Sequence, residues 1–217
     1  KVHPKDSSAA AAILYKKGKT RLEYDVNNGF LTVTEVETRI KIYKKEGYDW
    51  ANQNVLYYNE SDFKEKVSFS DAVTYNLVDG KIEKTKLKSD GVFDEVVNKY
   101  RARKKITMPN IKEGSVIEFS YIIRTPSDRV IREWDFQTSI PVNYSEFKTY
   151  IPEYYVFNSR QKGYVFPKIT TAKESKTIVF QNKERTGGGG FSAVKTDYSV
   201  QNVNYTETQT TYVAVDF

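Results

Sequence analysis

The chain has 217 residues, enough for one large domain or two small ones, and enough to bury a sizeable core. It carries 34 Lys and Arg against 28 Asp and Glu, a net charge of +6 with the signs interspersed, which reads as a solubilising surface and not as a dedicated polyanion binder. Cys is absent and His occurs once, so disulfides, thiol nucleophiles and thiolate metal sites are excluded, and any histidine-dependent triad or metal site would have to use His3.

Residues 1–8 begin abruptly as KVHPKD and are expected to be a frayed segment, consistent with a processed or trimmed start. The run Ala9 to Tyr15 is the longest apolar stretch, far short of the ~20 residues of a membrane helix, so no transmembrane segment is expected. It reads as a short strand or a helical turn. Residues 19–47 read as a hairpin turning at Asn28-Gly29, a pair that tolerates the positive φ of a tight turn. In its second strand Val36, Thr38, Ile40 and Ile42 share one face, while Glu35, Glu37, Arg39 and Lys41 share the other. This is the period of a half-buried antiparallel strand.

Residues 50–60 suggest another strand, and 72–87 a second hairpin turning at Asp79-Gly80. Residues 90–100 are ambiguous and could hold one helical turn. Residues 98–109 return to extended structure and stop at Pro109. Ser115 to Arg124 is the strongest strand, placed between a turn at Glu113-Gly114 and Pro126. Further strands are expected at 130–137, 145–152, 164–172 and 176–182. Residues 192–217 are rich in Thr, Tyr and Val without helical periodicity. Many short strands separated by turn signals predict an all-β fold: a two-sheet, mostly antiparallel β-sandwich in a single domain over 1–217.

The stretch ERTGGGGFSAVKTD contains Gly188-x-Gly190-x-x-Ala193, and Glu207 follows where a dinucleotide fold would place its ribose-binding acid. That fingerprint needs a helix after the glycines, so that free backbone N–H groups meet the pyrophosphate. Residues 194–214 are Thr, Val, Tyr and Asn at almost every step, which disfavours a helix. No Gly-Lys-Ser/Thr follows either, so the run is read as a flexible loop over 185–191, and no cofactor or metal site is expected.

The densest basic run is KYRARKK. As a strand it places Lys99, Arg101, Arg103 and Lys105 on one face with Tyr100 on the other. The aromatics therefore do not interleave with the cations, which argues against nucleic acid and leaves a solvated face or an anionic protein or membrane partner. Trp50, Tyr57 and Tyr58 could form a sugar-binding platform, but Tyr57 and Tyr58 are neighbours and must face opposite ways in a strand. Trp134 alternates with Ile131 and reads as core. Asn-x-Ser/Thr sequons stand at Asn59, Asn143 and Asn204. Acidic residues are too scattered to nominate a catalytic pair.

Three segments carry a resemblance. Residues 9–52, with an alanine-rich strand, charged strands and a Lys-x-x-Gly turn, resemble the start of a bacterial domain family of unknown function. ITMPNIKEGSVIEFSYIIRTP resembles its most specific segment, with Pro109, Gly114, Glu118 and Tyr121 matching. FQTSIPVNYSEFKTYIP resembles the next, with Pro141, Ser145 and Pro152 matching. The similarity spans roughly residues 9–217. It implies a domain that precedes a transglutaminase-like domain in envelope proteins of Bacteroidota, hence a periplasmic or envelope location. The catalytic Cys-His-Asp of such a neighbour cannot be carried onto this chain, which has no Cys.

Glu118 stands out in the expected central strand. It shares a face with Val116, Ser120 and Ile122, while Ile117, Phe119, Tyr121 and Ile123 fill the other. A carboxylate there needs a partner, either a structural Arg or Lys or a docking contact. The expected function is a non-catalytic scaffold or docking module, with Trp50, Tyr57, Tyr58, Lys99, Arg101, Arg103, Lys105 and Glu118 as partner-binding candidates. The alternatives are a carbohydrate-binding module or a stand-alone subunit of an envelope assembly. An independent enzyme is the least supported.

Overall fold

The computed structural model describes residues 2–25, 29–61, 63–163, 166–186 and 195–216. The strands are β1 (Ala11–Asp25), β2 (Gly29–Ile42), β3 (Asn52–Tyr58), β4 (Lys66–Val78), β5 (Lys81–Lys86), β6 (Val92–Val96), β7 (Arg101–Thr107), β8 (Val116–Thr125), β9 (Tyr144–Pro152), β10 (Lys168–Thr186) and β11 (Lys195–Val215). They form an eight-stranded sheet ordered β10-β11-β9-β1-β2-β8-β4-β5 and a three-stranded sheet ordered β3-β7-β6. Every named pairing is antiparallel except β1 with β9. The expected two-sheet sandwich is the observed fold.

The alternation seen in the sequence decides which face is buried. Thr32, Thr34, Val36, Thr38, Ile40 and Ile42 of β2 are all buried, while Glu35, Glu37, Arg39 and Lys41 point outward. Ile117, Phe119 and Ile123 of β8 face the same way as the β2 core residues. The small sheet packs over this half of the large one. Ile106 and Met108 join Ile13, Ile40, Ile42 and Ile117 in one cluster, and Val55 packs with Val67 and Ile123 in a second.

The β4-β5 turn is built as its residues predict. Asp79 and Gly80 have φ of 47° and 78°, the left-handed pair of a tight hairpin. Gly29 has φ of 75°, while its partner Asn28 lies outside the described residues, as does the glycine run 187–190.

Several expectations about element limits change. AAAAILY is not a separate strand; from Ala11 on it joins KTRLEYD in a single β1. From Lys168 on, the strands expected at 164–172 and 176–182 are one 19-residue strand, β10, while residues 164 and 165 lie outside the described residues. Residues 90–100 hold a 3-10 turn, Ser89–Gly91, and then β6.

Residues 130–137 are not a strand. They belong to an irregular crossover between β8 and β9, held by side chains instead of a ladder. Trp134 stacks on Phe147 with ring centroids 5.0 Å apart and donates from Nε1 to Ser145 Oγ at 3.0 Å. Arg132 reaches Leu56 O at 3.2 Å and Glu65 Oε2 at 2.5 Å. Arg132 and Trp134, expected in a strand, are instead two side-chain anchors of this crossover. This crossover packs on the inner side of β9 and β2, through Trp134 on Phe147 and Ser127 O on Thr32. Thr171, Thr210, Thr149, Thr20 and Thr34 stand in register across β10, β11, β9, β1 and β2, and of these Thr149, Thr20 and Thr34 are buried. The Thr20 and Thr34 hydroxyls lie 2.9 Å apart, and Thr32 donates to Ser127 O at 2.6 Å. Threonine suits such an interface, because its methyl packs while its hydroxyl satisfies the irregular backbone above it.

The start of the chain is docked, not frayed. His3 is 4% exposed. The Asp6 N–H donates to His3 Nδ1 at 3.1 Å, which leaves Nε2–H to donate to Asn143 Oδ1 at 3.0 Å. The sole histidine is therefore a structural clip between the start of the chain and the segment entering β9.

Candidate interaction surfaces

Two open faces result. The first is the outward face of the large sheet. Its pleat brings together Lys17, Lys19, Arg21 and Glu23 of β1, Glu35, Glu37 and Arg39 of β2, Glu118 and Arg124 of β8, and Glu146 and Lys148 of β9. The charges interlock. Glu35 accepts from Lys19 at 2.8 Å and Arg21 at 2.5 Å, while Glu23 accepts from Arg21 at 2.5 Å and Arg124 at 2.7 Å. Burial pushes both carboxyls up, but the hydrogen bonds from these cations outweigh it and hold Glu23 and Glu35 below the ordinary carboxylate range. The arginine stems also cover Val33, which sits between Arg21 and Arg124 and is fully buried.

Glu118 stands in this ladder. It is opposite Arg39 in the β2–β8 register and accepts from Arg39 Nε at 2.6 Å and from its NH2. The Arg39 guanidinium lies 5.1 Å from the Tyr15 ring centroid, and Tyr15 donates to Glu37 at 2.5 Å. Burial, aided by that hydrogen bond, raises the Tyr15 phenol well above its ordinary value. A shallow groove of about 520 Å³ runs over this ladder, lined among others by Lys17, Glu37, Glu118, Ser120 and Lys148. At its rim β4 bulges between Ser70 and Val73, with Asp71 at φ 50° and the Ser70 and Ser120 hydroxyls 2.9 Å apart. At the far end Glu207 is 7% exposed and 3.9 Å from Lys176, and burial raises its carboxyl despite that cation.

The second face is the outward side of the small sheet. Arg101, Arg103 and Lys105 do share it, but Lys99 does not. It lies in the turn before β7, where Asn98 Oδ1 accepts from the Tyr100 and Arg101 N–H groups. The cations are flanked by Tyr58 and Leu56 on β3 and by Phe93 and Glu95 on β6. Aromatics thus do interleave with the basic residues. They come from neighbouring strands, which a reading along KYRARKK could not reveal.

Trp50 and Tyr57 are not exposed platforms. Trp50 packs on the main core cluster; Tyr57 packs against Val55, Val67 and Ile123, with its hydroxyl 3.1 Å from Asp94. Tyr58, facing the other way, is 39% exposed. The Trp50–Tyr57–Tyr58 grouping is therefore not assembled on one surface. Sequence reasoning also passed over Glu65, which is 3% exposed and accepts from Arg132, Thr125 and the Tyr58 N–H. A cavity of about 210 Å³ lies between the sheets, with Lys16, Trp50 and Tyr121 in its wall. Lys16 there reaches Asp135 O at 3.1 Å and lies 4.4 Å from the Trp134 ring, and burial lowers its ammonium pKa. Among the described residues, no group of three or more His, Cys, Asp or Glu could hold a metal ion, and no helix is long and apolar enough to cross a membrane.

Residues 30–184 match a family described as a domain of unknown function with a solved structure, DUF3857. The chain belongs to this family. A crystal structure of a candidate protease from Parabacteroides distasonis has the same fold. It is 11% identical, with a TM-score of 0.60 over 96% of this DUF3857 domain and 36% of that chain. The domain thus spans little more than a third of that protein's length. A two-domain M1 zinc metallopeptidase bound to L-arginine is 7% identical with a TM-score of 0.31, covering 97% of this chain and 44% of its own. The M1 zinc metallopeptidase of Deinococcus radiodurans gives 7% and 0.31, covering 94% and 42%. Both values are too low to carry an argument. No curated protein matches the sequence.

Proposed function

We propose that this DUF3857 domain is a non-catalytic module of a longer envelope protein, placed before a transglutaminase-like domain that it positions. The observation that carries this reading is coverage: nearly the whole domain superposes on 36% of the Parabacteroides protein, so the fold occurs there within a larger chain. The transglutaminase-like identity of the neighbour and the periplasmic location rest on the sequence resemblance. Local geometry supports a fixed hand-over. The end of β11 is tied down by Lys5 to Asp216 at 2.6 Å and by the Asp216 N–H to Asn143 O at 3.0 Å, beside the His3 clip. A domain joined there would leave from a point held against the segment entering β9.

The test compares the full native protein with a version lacking this domain, measuring thermal stability and transamidation or hydrolysis by the catalytic part. The proposal expects the deletion to lower stability or change kcat/KM, and the DUF3857 domain added in trans to bind. A catalytic domain indifferent to deletion and unbound in trans would refute it.

A further inference from the structure

We infer that the outward face of the three-stranded sheet binds an extended acidic peptide segment of a partner protein, an inference independent of the docking proposal above. Arg101, Arg103 and Lys105 stand in a row on the central strand β7, about 7 Å apart at the two-residue repeat. An extended peptide places alternate side chains at that same spacing, so three carboxylates on one side of it meet three cations. Among the described residues of its three strands, this face holds these three cations against one carboxylate, Glu95, which is bonded to Lys105. Arg103 stands opposite Glu95 in the β6–β7 register and interacts with it electrostatically. Its Nε is buried and makes no hydrogen bond. A buried donor without an acceptor is costly, and a guanidinium is built for two-point capture of a carboxylate.

The apolar groups fit a peptide better than a nucleic acid. Tyr58 flanks β7 at Arg101, and Phe93, 52% exposed, flanks it at Lys105 on the opposite side. By strand geometry the two rings are about 16 Å apart, too far for successive stacked bases. The Tyr58 ring is also occupied, with the Arg101 guanidinium 5.1 Å from its centroid and donating to its hydroxyl at 3.2 Å. That contact pre-orients Arg101. Phe93 and the half-buried Leu56 offer apolar contact to the residues between the carboxylates.

The experiment is fluorescence anisotropy of the whole chain with a fluorescein-labelled decapeptide of alternating Thr and Glu. The comparison probes are a peptide of the same composition with its Glu in one block and a ten-residue oligothymidylate. The alternating peptide should bind best, with affinity falling as salt rises. Arg103→Gln should weaken it about tenfold. Arg101→Gln, at an exposed position, should weaken it as well and covers the case in which Arg103→Gln does not fold. Glu95→Gln should strengthen binding by removing the resident competitor. Lys173→Gln, which removes one exposed charge from β10, should change nothing. Absence of peptide binding at low salt, equal losses in Arg101→Gln and Lys173→Gln, or preference for the oligothymidylate would each overturn the inference.

Discussion

A single methyl group added at Gly18 tests the crossover packing most sharply. Gly18 lies in the middle of β1, opposite Val36 and Phe147, with a φ that any residue adopts. On backbone grounds Gly18→Ala should stabilise by roughly 0.5–1 kcal/mol. The structure reverses that sign. A Cβ at Gly18 would come within 3.0 Å of Cζ3, Cη2 and Cε3 of Trp134, so the indole must move. Moving it strains its stack on Phe147 and its hydrogen bond to the fully buried Ser145. Overpacking costs about 1–3 kcal/mol and the lost hydrogen bond about 1 kcal/mol. The net expectation is a loss of about 2 kcal/mol, or about 4–8 °C in Tm for a chain of this size. Urea unfolding followed by circular dichroism measures it, in the native background and with Trp134→Leu, which removes the six-membered ring. In the Leu background Gly18→Ala should become neutral or stabilising. The same loss in both backgrounds would show that Trp134 does not seal β1.

Ion pairs at different depths should differ in weight. Glu65→Ala strands Arg132 and two further donors in a buried site and should cost roughly 3 kcal/mol, whereas Glu118→Gln, in a pair with side chains 40% and 21% exposed, should cost about 1 kcal/mol or less in the same urea assay. Glu207 should set a pH slope. Burial lifts its folded-state carboxyl above the ordinary 4.5, so the folded chain holds the proton more tightly, and stability from this group falls as pH rises from 4.5 through the raised value. Glu207→Gln should abolish that component in unfolding curves taken from pH 4 to 8. Glu23 and Glu35 act with the opposite sign, contributing stability above 4.5 that is lost as pH falls through their lowered values. His3→Ala should release the start of the chain, seen as faster hydrogen exchange at Asp6 and at residues 138–143, at a cost of about 1–2 kcal/mol.

What could be read from the sequence was what neighbours in the chain decide. The β2 alternation, the Asp79-Gly80 turn and the two-faced pattern of Ser115 to Arg124 each depend on a few adjacent residues, and each is in place. The misses are long-range. Nothing local marks β1 as the parallel partner of β9, or Gly18 as the seat of an indole 116 positions along. Residues 130–137 read as a strand, yet Arg132 and Trp134 hold an irregular segment through side chains that reach β3, the residue before β4, and β9, which local spacing cannot reveal. His3 was expected to be free because it is near an end, yet burial follows from what packs on a segment and not from its position in the chain. The basic face shows the same limit. β7 supplies the cations, but Tyr58 and Phe93 reach them only after three strands pair, so the mixed character of that surface exists in the fold alone.

The most direct test of the modular reading is intact mass spectrometry of the protein purified from its native source. The account predicts a chain that continues past Phe217 into a Cys-bearing domain, or one that co-purifies with such a domain. A native chain ending at Phe217 and isolated with an unrelated membrane or sugar-handling complex would contradict it.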